Sequence, residues 1–120
     1  IEVCCMGQIV NGKTYVGTPA DPNQIVKLAK PFRGFQFWHK YSDAQITALK
    51  QWILFVAERY DIDPRVGLVE YVKAKGADGF DVLDLDRANK TPGMYSHTNV
   101  LRGKVDMFPQ QELIDMLLSL

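Results

Sequence analysis

The sequence predicts an α/β domain in which a central sheet carries helices on its faces. Three observations lead there. Residues 1–6 and 32–38 are apolar and β-prone. Residues 43–60 carry a capped, amphipathic helical pattern. Residues 109–120 close the chain with a second apolar helical stretch. At 120 residues, 47% hydrophobic and 23% charged, the chain suits one globular domain spanning residues 1–120.

The elements follow in order. Residues 1–6 (Ile-Glu-Val-Cys-Cys-Met) suit a buried strand. Gly7 and Asn11-Gly12 are turn signals, and a short strand is expected near Thr14-Tyr15-Val16. Residues 17–31, with Gly17, Pro19, Pro22 and Pro31, read mostly as loop. Residues 32–38 bring Phe32, Phe35 and Phe37 close together, as a further strand or an aromatic approach to a helix. Ser42 and Gln45 have capping-box spacing. Ile46, Leu49, Ile53, Val56 and Tyr60 then share one helical face, widened by Trp52, Leu54 and Phe55 into the pattern of a well-buried helix. Asp61 to Pro64 end it. Val66 to Lys75 predicts a short second helix stopped by Gly76, residues 76–93 a loop, and Met94 to Val100 a strand. Pro109 fits the first turn of a terminal helix reaching about Leu120.

Composition excludes some functions. Fourteen basic and fourteen acidic side chains cancel, and no Lys/Arg run offers a nucleic-acid surface. No apolar stretch has the length of a membrane span. Cys4 and Cys5 are adjacent, so they imply no disulfide framework and read as small apolar strand residues.

His97 and Asp106 are the candidate chemical pair. Each suits zinc, since imidazole and carboxylate are both zinc ligands, and a short loop joins them. Lys104 stands two residues before Asp106, where a fixed cation would stabilise an oxyanion. By spacing alone such a pair is weak. His39 reads as a surface or helix-start residue, and Asp81, Asp84 and Asp86 as a solvated loop, because a calcium loop would need a Gly and a terminal Glu that are missing. Trp38, Phe35 and Phe37 are either a glycan-groove lining or core, and Arg102 either a contact for a substrate carboxylate or a solvated cation.

The segment Tyr95 to Pro109, YSHTNVLRGKVDMFP, resembles the zinc-binding end of the N-acetylmuramoyl-L-alanine amidases, which include phage endolysins and peptidoglycan recognition proteins. Tyr41-Ser42-Asp43-Ala44-Gln45 is similar to the start of a family helix, and Ile1-Glu2-Val3 to the family's central strand. The three segments lie in family order across nearly the whole chain. The resemblance implies a central mixed sheet flanked by helices, here without its N-terminal part. It implies zinc held by His97 and Asp106, with Lys104 stabilising the tetrahedral intermediate. Glu2 matches the general base of some members, while others place Tyr in a related role. The implied reaction is hydrolysis of the amide between N-acetylmuramic acid and L-alanine in peptidoglycan or a muropeptide. The alternative is a non-catalytic peptidoglycan-binding module of the same fold. The setting implied is a bacterial wall, a periplasm or a phage lytic system. The family's first ligand, a His upstream of the Ile-Glu strand, has no counterpart, so either a third ligand comes from an upstream segment or a second chain, or the metal has been lost.

Overall fold

A computed structural model describes all 120 residues. It is a mixed α/β structure with a small two-stranded antiparallel sheet and five helices: β1 (Ile25–Phe32), β2 (Phe35–His39), α1 (Asp43–Tyr60), α2 (Leu68–Lys75), α3 (Leu85–Lys90), α4 (His97–Val100) and α5 (Gln111–Leu118). None of the helices is long and apolar enough to cross a membrane.

β1 and β2 form a tight hairpin in which Ile25 faces His39 and Phe32 faces Phe35. Arg33 and Gly34 turn the chain with φ of 48° and 89°, the two positive values that a type I′ turn requires. The register breaks between Lys27 and Phe32, where Pro31 has no N–H to give to a ladder. That interruption, with Lys27 and Lys30 spoiling the apolar pattern, hides β1 in a segment that reads as loop.

The expected strand at residues 1–6 is not formed. The segment forms no ladder: Val3 and Cys5 pack against the core, and pairing with the sheet begins just beyond it, where Gln8 bridges Trp38 and the Ile9 N–H donates to the Phe37 carbonyl at 2.8 Å. Ile1, Glu2 and Cys4 are exposed, since no neighbouring strand completes a ladder beside them. The short strand expected near Thr14-Tyr15-Val16 is also replaced by turns, with Gly17 N–H closing onto the Thr14 carbonyl.

α1 starts where the capping box places it. The Gln45 N–H donates to Ser42 Oγ at 3.2 Å, and the Ser42 N–H donates to Gln45 Oε1 at 2.9 Å. Asp61 closes the helix in the left-handed region, φ 53°. Only one face is buried, through Ile46, Leu49 and Ile53 against α5. The wider burial expected from Trp52, Leu54 and Phe55 does not occur: these side chains and Tyr60 face solvent, with the Trp52 and Phe55 rings 5.7 Å apart.

Residues 76–93 are not a loop throughout. A 3-10 turn at Gly76–Asp81 continues directly from α2, and Asp84 caps α3 by accepting the Arg87 N–H. The expected strand at 94–100 is instead a bridge at Met94 followed by the turn of α4. Ser96 and Asn99 close a capping box there, and Asn99 Nδ2 donates to the carbonyls of Gly79 and Val82.

The core joins these pieces. Leu28, Phe32 and Trp38 of the hairpin meet Leu68, Val69 and Val72 of α2, Phe80, Phe108, and Leu113, Ile114 and Leu117 of α5. Phe108 is sandwiched between Trp38 and Tyr41 at 4.8 and 4.6 Å. Gln110 locks α5 to the start of α1 by accepting the Tyr41 N–H and donating to the Tyr41 carbonyl.

Candidate functional site

The site is the segment between the turn of α4 and the buried Phe108. Ser96 fixes its beginning, since Ser96 and Asn99 cap the turn that carries His97. Phe108 fixes its end, two residues beyond Asp106. Between these anchors the chain folds back until His97 Nδ1 and Asp106 Oδ2 are 2.7 Å apart. His97 is 48% and Asp106 53% exposed at the side chain, so both are open to a cation or substrate from solvent.

Burial alone would raise the Asp106 carboxyl. The His97 hydrogen bond, one from its own backbone N–H, and the charges of His97 and Lys104 outweigh it and hold the group below the ordinary carboxylate range. Asp106 is therefore an ionised acceptor at neutral pH, the form that binds metal or hydrogen-bonds an imidazole. Beneath it lie Tyr41 and Cys5, whose phenol and thiol are both raised, chiefly by burial. Both are protonated at neutral pH. Cys4 and Cys5 are free thiols.

The donor chemistry fits zinc as a pair. Two ligands at 2.0–2.1 Å on a tetrahedral ion stand about 3.3 Å apart, so the present contact would open by roughly 0.6 Å to admit one. No third His, Cys, Asp or Glu joins them in a metal-holding group within the 120 residues. His39, at the end of β2, has its Nδ1 shielded without a hydrogen-bond partner and is not part of the pair.

Other expected residues fare differently. Lys104 is exposed on the same loop and close enough for its charge to act on Asp106. Arg102 is exposed there too. Glu2 is exposed on the N-terminal segment and makes no hydrogen bond with His97, Asp106 or Lys104; its neighbour Val3 packs beside Met107. Trp38 is not a substrate platform: it is fully buried, its Nε1 donates to the Phe35 carbonyl at 3.1 Å, and one ring face is stacked on Phe108. A ring consumed by the core has no face for a sugar. Asp81, Asp84 and Asp86 each serve a protein partner, respectively Arg33, Tyr71 with the α3 cap, and Lys90.

Sequence reasoning missed Arg33, which reaches into the loop from the hairpin tip. The only local signal is its place before Gly34 in a two-residue turn, where Asn is the usual residue. Compared with family models, with curated proteins and with solved structures, the chain matches none.

Proposed function

We propose that His97 and Asp106 are two of three zinc ligands, and that the chain is the C-terminal portion of a zinc-dependent N-acetylmuramoyl-L-alanine amidase. The observation that carries this reading is the 2.7 Å approach of an imidazole nitrogen and an ionised carboxylate, both solvent-open, with Lys104 beside them. The third ligand comes from an upstream segment or a second chain, which would also extend the two-stranded sheet towards the family's central mixed sheet. Zinc held there would lower the pKa of a bound water and polarise the amide carbonyl. Lys104 presents its ammonium to the oxyanion that develops on the muramoyl carbonyl. Glu2 takes the proton of the attacking water and returns it to the alanine amine. Arg102 pairs with a carboxylate of the peptide stem.

A second reading, a peptidoglycan-binding module without catalysis, is favoured by the two-donor set. Such a surface binds a glycopeptide through His97, Asp106 and the neighbouring cations without assembling a hydrolytic centre. Lys104→Ala separates the two in protein supplied with the third ligand. An amidase loses about 100- to 1000-fold in kcat on a muropeptide with little change in KM. Weakened binding of the muropeptide, with no turnover in either protein, would establish the module instead.

A further inference from the structure

The backbone joining His97 to Asp106 has little support of its own. After α4 its internal hydrogen bonds run from the Leu101 N–H to the His97 carbonyl and from the Lys104 N–H to the Leu101 carbonyl. Residues 101–104 are all exposed, so apolar packing does not fix their path. Their carbonyls are instead gathered by one side chain from the other end of the fold. The two N–H groups of Arg33 Nη1 are shared among the carbonyls of Leu101 at 3.2 Å, Arg102 at 2.7 Å, and Lys104. Arg33 Nη2 donates to the Thr98 carbonyl at 2.9 Å, and Nε to Asp81 at 2.8 Å. The Arg33 side chain is itself only 10% exposed, although the carbonyls of residues 101, 102 and 104 that it reaches belong to exposed residues.

Turn chemistry alone does not account for Arg33. A type I′ turn on its own is better served by Asn before Gly, and a long L side chain at φ 48° is strained. A planar fork with five N–H donors can hold several carbonyls at once, whereas an ammonium is a single point of charge.

We propose that Arg33 is a positioning residue for the His97–Asp106 pair: by gathering four carbonyls between residues 98 and 104 it sets the loop path, and with it the separation of the two side chains at its ends. His97 comes one residue before the first gripped carbonyl and Asp106 two residues after the last. The positioning role is argued from these hydrogen bonds, while Val105, Met107 and Phe108 hold the far end of the loop to the core. Its consequence for metal binding rests on the function proposed above.

Arg33→Asn tests the inference, because it removes the fork and leaves a residue that the turn prefers. Two readouts need no metal: the imidazole ¹⁵N signals of His97 in mildly alkaline buffer, and backbone amide exchange. Wild type should show one imidazole tautomer, set by the bond to Asp106. The variant should lose that signature, and its Leu101 and Lys104 amides should exchange about 10-fold faster or more while α1 and α5 keep their protection. Cobalt(II), read by its visible absorption as a zinc surrogate, should bind the variant about 10- to 100-fold more weakly. Unchanged His97 signals together with unchanged loop exchange would overturn the inference. If those two readouts move and cobalt binds neither protein, the positioning role stands and the metal reading fails. Arg33→Lys keeps the charge and the turn strain but lacks the fork. It must show the same losses, and wild-type signals in it would also overturn the inference.

Discussion

Phe108 is the anchor on which the end of the His97–Asp106 loop depends, and Phe108→Leu measures its strength. The side chain is fully buried, stacked within 15° of parallel on Trp38 at 4.8 Å and on Tyr41 at 4.6 Å. Leucine keeps an apolar group in the site and removes both stacks. Each aromatic pair contributes about 0.5–1.5 kcal/mol beyond area burial, so the two together are worth about 1–3 kcal/mol. For a chain of this size the whole stability is roughly 6–18 kcal/mol, so the loss is a sizeable fraction of it. Urea unfolding followed by tryptophan fluorescence is the natural assay, because Trp38 reports on the cluster. With a slope of about 2 kcal/mol per molar urea, the midpoint should fall by roughly 0.5–1.5 M with the slope unchanged. A midpoint within about 0.2 M of wild type would refute the reasoning, since the stacks would then contribute nothing measurable.

Two further predictions follow from individual side chains. The Tyr71 phenol is pushed up to about 12, first by burial and then by its hydrogen bond and charge interaction with Asp84. The folded state thus prefers the neutral phenol. Its contribution is complete below the unfolded value of about 10 and is lost as pH rises through about 12. Ultraviolet titration of Tyr71→Phe should lack one phenol ionising near the top of that range, and a curve differing from wild type only near pH 10 would contradict it. Glu2→Gln should slow muropeptide hydrolysis by roughly 100-fold or more if Glu2 is the general base, and a wild-type rate would remove it from the mechanism.

What the sequence revealed tracks how local each signal is. α1 was legible because Ser42, Gln45 and the Ile46, Leu49, Ile53 spacing lie within three turns and agree. α2 and α5 were legible for the same reason, within a residue or two at their ends. The segment at 94–100 reads as a strand because Tyr, Thr and Val carry strand preference, while Ser96-His97-Thr98-Asn99 is itself a capping pattern, closed by Asn99 in place of Glu or Gln. Residues 1–6 have strand composition, but a strand also needs a neighbour, and composition says nothing of one. Trp38 illustrates the opposite ambiguity: an aromatic cluster has the same letters in a groove as in a core, and only Phe108, 70 residues away, decides which. The pattern around them singles out His97 and Asp106, which the fold brings to 2.7 Å, whereas nothing local singles out Arg33, whose partners lie 65 to 71 positions along the chain.

Metal binding by His97 and Asp106 is the proposal on which the amidase reading depends. Diffraction data collected on either side of the zinc absorption edge, from crystals grown under zinc-replete conditions, test it most directly. An anomalous peak is expected about 2.0–2.2 Å from both His97 Nδ1 and Asp106 Oδ2, with the two atoms moved apart to admit it. No peak there, with the 2.7 Å hydrogen bond between the two side chains still intact, would contradict it.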